Sequence, residues 1–317
     1  MSLKNICIYG LGGVGGYVGG KLAYVFSREK SHTPDVFFIA RGQHLEEIKR
    51  QGLTLHTAGE CMVCKATLST ERFAEVPVPD LCILSVKGYD LEAAIACLKK
   101  HIVPETVILP LLNGVDIYER IRSQIPDAII LPATLYIASS IESPGVVRHK
   151  SGTGKIILGP DPLHPDFKKE QVTDILEQAG IAFEWYADPA PALWEKFLFI
   201  ASFGLVSALT FKTLGQIIEN EEDSSLVKDI IQEIYLLAQK KGIRLTEEAK
   251  ENAFSLGRSF PYECTTSYQR DVMGKGAKNE GELFGGAILG LAKELQVPTP
   301  VTEAVYSEIN RKLVGKI

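Results

Sequence analysis

Ile6-Cys7-Ile8-Tyr9-Gly10-Leu11-Gly12-Gly13-Val14-Gly15 joins a short apolar run to a glycine-rich turn, and Tyr17 to Phe26 continue it as a helical pattern. The turn matches GxGxxG. Glycines at these positions permit a tight reversal and a close backbone approach, so that a pyrophosphate can meet the N-terminus of the helix that follows. A bare glycine-rich turn between strand and helix is the plainer alternative. The order strand, glycine loop, helix favours a dinucleotide-binding βαβ unit. Gly10, Leu11, Gly12, Gly13, Val14 and Gly15 are therefore the expected cofactor-binding residues.

Outward from this unit the first half keeps alternating. Val36 to Ile39, Leu81 to Val86, Val107 to Leu111 and Ile129 to Leu131 are compact apolar runs, with the continuous character of parallel strands buried on both faces. Leu91 to Lys100 and Tyr118 to Ser123 read as helices between them. This alternation predicts an α/β fold, an N-terminal doubly wound Rossmann-type domain. Gly145 to His149 and Lys155 to Gly159 are expected as a hairpin added to that sheet, and Ala182 to Tyr186 as its last strand.

Asp188-Pro189-Ala190-Pro191-Ala192 breaks the pattern, since two prolines in five residues mark a hinge. Beyond it strand signals nearly vanish. Leu226, Ile230, Ile234 and Leu237 lie on one helical face, with Lys240-Lys241 in the last turn and Gly242 as the stop. Thr246 is the expected N-cap of the next helix, and Glu282 to Leu295 and Val301 to Leu313 read as further helices. The predicted organisation is residues 1–188, a dinucleotide-binding Rossmann-type domain, and 189–317, a C-terminal all-helical domain.

Composition narrows the function classes. The chain has 317 residues, with 34 basic against 39 acidic, a formal charge of −5 and a pI near 5.8. That balance argues against nucleic-acid binding, whose footprint is a strongly basic domain. Lys4 to Gly10 reads as a strand running into the glycine turn rather than as a secretory leader. Phe197 to Phe211, the longest nearly uncharged stretch, is shorter than a bilayer span of about 20 apolar residues. Six cysteines without a dense framework suit a reducing cytoplasm. Cys61-Met62-Val63-Cys64 has metal-like spacing but no second pair accompanies it, so no metal is expected.

Two places carry the chemistry. The second strand ends Phe38-Ile39-Ala40-Arg41-Gly42, where an NAD site usually places Asp or Glu for the ribose hydroxyls. Arg41 instead offers a planar donor fork suited to a 2′-phosphate, which favours NADP(H). Farther on, Glu195 and Lys196 are the only charges between Leu193 and Phe211, on a helix apolar on nearly all faces. A lysine beside such a helix is a candidate for a perturbed pKa and a functional role. An exposed pair of charges on the helix's first turn is the equal alternative on residues alone.

The ordered set of motifs resembles the ketopantoate reductase (2-dehydropantoate 2-reductase) family over nearly the whole chain. It comprises the Gly10 to Gly15 loop, Ala40-Arg41, Val86-Lys87, Leu112-Asn113-Gly114-Val115, Ser143-Pro144-Gly145 leading to His149, Trp194-Glu195-Lys196, Thr266-Ser267 with Asp271, and Glu280 with Gly286. The resemblance implies that Lys196 is the catalytic general acid and that Glu280 contacts substrate or cofactor and helps hold the active site. It implies that Ser267 binds substrate, and that Lys87 and Asn113 line the nicotinamide and ribose side, Asn113 also touching substrate. The implied activity is NADPH-dependent reduction of ketopantoate to pantoate in pantothenate and coenzyme A biosynthesis. The implied partner is a small 2-oxo acid, with no nucleic acid and no membrane, and a homodimer is compatible with it.

Some positions depart from the family pattern. Asparagines four, eight and roughly eighteen residues beyond the catalytic lysine are replaced by Ile200, Gly204 and Leu214, and one extra residue separates Asp271 from Glu280. The missing asparagines motivate an alternative, an NADPH-dependent reductase of another branched 2-oxo acid. A non-catalytic NADP-sensing protein is a third reading, which Lys196 and Glu280 argue against.

Overall fold

The computed structural model describes residues 3–28, 34–274 and 278–314. The chain falls into two compact units, Met1–Leu112 with Ile117–Pro189, and Asn113–Asp116 with Ala190–Ile317.

In the first unit, strands β1 (Asn5–Tyr9) and β2 (Asp35–Ile39) flank helix α1 (Gly13–Phe26) in sequence, and helix α2 (Gly42–Gln51) follows. A hairpin of β3 (Leu53–Thr57) and β4 (Glu60–Cys64) precedes β5 (Leu68–Thr70), β6 (Leu81–Leu84) and helix α3 (Leu91–Leu98). Then come β7 (Val107–Pro110), α4 (Ile117–Gln124), β8 (Ile129–Ile130), β9 (Ala133–Ser143), β10 (Val146–Leu158), α5 (Glu170–Gln178) and β11 (Phe183–Trp185). One sheet runs β5-β2-β1-β6-β7-β8, with every neighbouring pair parallel. Counting only its own strands, that is the 3-2-1-4-5-6 order of a doubly wound dinucleotide fold, reversing direction between β1 and β6.

The expected hairpin is corrected in two respects. Residues 146–149 and 155–158 fall on one long strand, β10, and its antiparallel partner is β9. Gly152 and Gly154, at φ +89° and +66°, are irregularities within β10, while the turn is Pro144-Gly145, with Gly145 at φ +78°. Nor does this ribbon join the first sheet: it forms a second one, ordered β11-β10-β3-β4 with β9 on β10, and Trp185 lies on the edge strand of that sheet. Helix α1 packs between the two sheets. A methyl group at Gly19 would press on Ile8 and Phe38 of the first sheet, and one at Gly16 on Val147 of the second. Small residues on both faces of α1 thus let two layers close on a single helix.

The second unit is helical: α6 (Ala190–Thr210), α7 (Leu214–Glu219), α8 (Glu221–Lys240), α9 (Glu248–Arg258), α10 (Ser267–Met273), α11 (Ala287–Leu295) and α12 (Pro300–Val314), with a π-helical turn at Glu282–Gly286. Helix α6 is the spine of its core. Phe197 stacks on Phe284 and Phe199 on Phe260, and α8, α9, α10 and α12 pack around it. At 21 residues it is longer than the Phe197 to Phe211 stretch suggests, long and apolar enough to cross a membrane by length and composition. Yet 61% of its most apolar window is buried in the fold. Gly242, at φ +84°, ends the last turn after α8. Thr246 is not the next N-cap; Glu247 takes that position.

Candidate active site

The glycine loop follows β1 in the first unit. Gly10 sits at φ +98°, donates its N–H to Ile39 O at 3.1 Å, and lies so close to the β6 exit that a Cβ would come within 2.8 Å of Val86 N. Ser85 Oγ donates to the Gly10 carbonyl at 2.7 Å and braces the turn. A Cβ at Gly15 would overlap both the Gly10 oxygen and Ser85 Oγ, whereas one at Gly12 would meet nothing within 4 Å. Gly12 caps α1 without a side-chain hydrogen bond, and the first turn carries no acidic residue. The helix therefore presents N–H groups and the positive end of its dipole beside an open, side-chain-free position, which fits a pyrophosphate. Leu11 is buried and Val14 packs against the same core, so these two positions offer a ligand their backbone.

Arg41 is the N-cap of α2, its side chain 72% exposed. Its guanidinium is not alone: Nη2 donates to Asp90 Oδ2 at 2.5 Å. Asp90 ends the 3₁₀ turn Gly88–Asp90 that Lys87 introduces, and its N–H donates to the Lys87 carbonyl at 2.9 Å. Arg41 and Lys87 thus stand just past the carboxyl ends of β2 and β6, the two parallel neighbours of β1, where open α/β sheets bind ligands. Sequence reasoning missed Asp90. The rule that the ribose acid ends the second strand directs attention to residue 41, while Asp90 arrives from beyond β6.

The second unit holds the other group of residues. Lys196 lies in the second turn of α6, half-buried, while its neighbour Glu195 is exposed. Lys196 Nζ donates to Asn113 Oδ1 at 3.1 Å. Asn113 begins a four-residue segment that belongs to this unit; Val115 buries in the helical core, and Gly114 at φ +124° turns the chain. Burial pushes the Lys196 ammonium down to about 8, and the negative charge of Glu280 opposes that fall. Glu280 itself is 5% exposed. The exposed-pair reading of Glu195 and Lys196 is thereby corrected for Lys196: crowding by apolar neighbours makes the ammonium costly to solvate, so it is held by specific partners.

Ser267 opens α10, whose N-cap Thr266 accepts from Gln269 N at 3.1 Å and shares a 2.7 Å hydrogen bond with Ser207 of α6. Tyr268 packs over Gly204. Ser267 is thus fixed near residues 204–207, about 12–16 Å along α6 from Lys196. The replaced asparagine positions behave differently from one another. Leu214 is buried in the core at the start of α7 and Gly204 is buried beneath Tyr268, whereas Ile200, one turn beyond Lys196, keeps an exposed portion. The extra residue between Asp271 and Glu280 falls in a segment containing 275–277, which lie outside the described residues. Cys61 is exposed and Cys64 buried on β4, three positions apart and so on opposite faces of the strand.

Comparison with known proteins gives these two groups a common context. Residues 6–162 match the family model described as ketopantoate reductase PanE/ApbA, and residues 189–313 match that of its C-terminal domain. The chain is 29% identical over 308 residues to an uncharacterized oxidoreductase, YkpB, of Bacillus subtilis, covering 95% of this chain and 96% of that protein. It is 26% identical over 308 residues to a 2-dehydropantoate 2-reductase of Streptococcus pyogenes, covering 92% and 95%. The crystal structure of a PanE/ApbA family ketopantoate reductase from Ralstonia eutropha superposes with a TM-score of 0.87 at 25% identity, over 98% of this chain and 99% of that one. With one family model matching each half, the chain belongs to the ketopantoate reductase PanE/ApbA family and is an oxidoreductase.

Proposed function

We propose that this protein reduces 2-dehydropantoate to pantoate with NADPH, in the route to pantothenate and coenzyme A, with Lys196 as general acid. The observation that carries the reading is the Lys196–Asn113 hydrogen bond at 3.1 Å, made by an ammonium that burial brings to about 8. Such a lysine is mostly protonated at neutral pH yet gives up its proton more readily than a solvated one, as a general acid should.

NADPH, when bound, supplies the hydride that reaches carbon 2 of the substrate. The protein's own residues do the rest. Lys196 Nζ stabilises the negative charge that develops on the keto oxygen and then transfers its proton there, leaving a hydroxyl and a neutral amine. Asn113 accepts from the ammonium and fixes its direction. Glu280 keeps it charged between turnovers and contacts the bound ligands. Ser267 receives the far end of the substrate. The Gly10 to Gly15 loop holds the pyrophosphate, Arg41 the 2′-phosphate, and Lys87 with Asn113 the ribose and nicotinamide side. All six cysteines are free thiols, which supports a reducing cytoplasm as the setting.

A second reading keeps the mechanism and changes the substrate. Ile200 stands one helical turn from Lys196 and offers a methyl surface where an amide would bind a hydroxyl, which favours a branched 2-oxo acid without one. Loss of NADPH absorbance with ketopantoate, run beside 2-oxoisovalerate and related acids, tests both. Strong turnover of ketopantoate is the expected result, and a specificity constant for 2-oxoisovalerate well above it transfers the assignment. NADPH binding with no turnover of any acid would refute catalysis and leave an NADP-sensing role.

A further inference from the structure

The Arg41–Asp90 pair joins two positions that reach across the strand between them. In the first sheet β2 and β6 are the two neighbours of β1, and β1 leads into the glycine loop. Arg41 comes from the end of β2 and Asp90 from beyond the end of β6, and their side chains meet at 2.5 Å. The guanidinium is 72% exposed and the carboxylate 19%. A cation suited to a phosphate and an acid suited to ribose hydroxyls therefore stand side by side on the nucleotide end of one unit, although the second strand itself ends in no acid.

We propose that Asp90 is a second reader of the adenosine ribose, opposing Arg41, so that the site accepts NADH as well as NADPH and Asp90 sets the ratio between them. The inference rests on the dinucleotide reading of the glycine loop. A ribose 2′-hydroxyl is neutral and can donate to Asp90 while accepting from Arg41, so NADH leaves the ion pair intact. A 2′-phosphate carries about −1.5 to −2 charges and only accepts. To engage Arg41 it must either draw the guanidinium from Asp90 or lie beside a second negative charge. With charges about 6–7 Å apart at a water-exposed site, that repulsion corresponds to roughly a fivefold to tenfold loss of NADPH affinity.

The test is direct binding of NADPH and of NADH to the full chain without substrate, by calorimetry or by quenching of the two tryptophans. Asp90→Asn, an isosteric change, is expected to tighten NADPH about fivefold to tenfold and to weaken NADH severalfold. Asp90→Ser provides a second variant should the first fold poorly. Arg41→Ala is expected to move the ratio the other way. The NADPH advantage of Asp90→Asn should shrink at high salt, because the repulsion it removes is screened. A ratio of the two Kd values unmoved by both Asp90 variants, in protein with normal thermal unfolding, overturns the proposal and leaves Asp90 as a structural partner of Arg41. Failure of the unsubstituted chain to bind either nucleotide is a separate result, which refutes the dinucleotide reading and this inference with it.

Discussion

Replacing Lys196 with methionine should abolish most turnover while stabilising the fold. Methionine keeps the length and much of the volume of the lysine stem but carries no charge to desolvate. Burial lowers the Lys196 ammonium from 10.5 to about 8, a cost only partly offset by the charge of Glu280. At about 1.36 kcal/mol per pH unit this corresponds to about 3 kcal/mol by which the protonated lysine opposes folding. The sign follows from linkage. The folded value lies below the unfolded one, so the penalty is fully present below about pH 8 and disappears as pH rises towards 10.5. Asn113 and Glu280 lose their cation in the variant, which returns part of the gain. A net stabilisation of about 1–2 kcal/mol near neutral pH is therefore expected, with kcat reduced about 10²- to 10⁴-fold. Denaturant unfolding of both proteins near pH 7 and near pH 10 measures the first, and steady-state kinetics the second. A variant destabilised equally at both pH values would refute the desolvation argument. Undiminished turnover would remove Lys196 as general acid.

The pH dependence of kcat/KM should fall as pH rises through about 8, because the general acid is then deprotonated. Glu280→Gln should move that fall to lower pH, and a profile unmoved by the substitution would show that Glu280 does not sustain the charge on Lys196. Gly15→Ala should abolish dinucleotide binding, because the added methyl overlaps the Gly10 carbonyl and Ser85 Oγ; nucleotide titration of the purified variant checks it, and near-normal affinity would refute the packing argument. Asp161→Ala should destabilise the first unit by about 3–5 kcal/mol in urea unfolding. The fully buried Asp161 carboxylate accepts from Arg122, from His164 and Tyr118 at 2.8 Å each, and from the Ile130 and Leu163 N–H groups, and the change leaves Arg122 without its counter-ion. A loss below about 1 kcal/mol would mean that the arginine finds solvent instead.

Five of the six strands of the first sheet were legible because they read as unbroken apolar runs, Leu81 to Leu84 being wholly buried, whereas Leu68-Ser69-Thr70 of β5 has a single buried residue and gave no such signal. The second sheet was legible only in part: β10 and β11 gave strand signals, β3, β4 and β9 did not. Leu53-Thr54-Leu55-His56-Thr57 alternates buried and half-buried positions, and Glu60 to Cys64 is an exposed edge strand with a single buried residue, so neither stands out from loop. Ala133 to Ser143 is rich in alanine and serine, and the positive-φ glycines of β10 imitate a turn where the chain only bulges. At the site, the glycine loop and Arg41 followed from local rules. The role proposed for Lys196 came from the family resemblance, because only the fold reveals whether a helix-borne lysine is crowded or solvated. Asp90 was illegible for a different reason: its partner lies 49 positions away, and no spacing rule connects the ends of β2 and β6.

The two charged centres of this protein answer opposite requirements through burial. Arg41 is a cation left largely in water, where its pairing with Asp90 contributes little to stability and is free to be exchanged for a ligand. Lys196 is a cation withdrawn from water, and withdrawal alone would neutralise it. Asn113 and Glu280 keep it from going that far: the amide oxygen accepts from the ammonium without adding a charge, and the carboxylate supplies the charge from a buried position. With the ammonium near 8, about nine-tenths of the molecules hold the proton at pH 7. An exposed lysine near 10.5 would be charged almost as completely there but a much weaker acid. If Lys196 is the general acid proposed above, the gain from burying it lies in the readiness of transfer, and the fold bears a cost in stability for it.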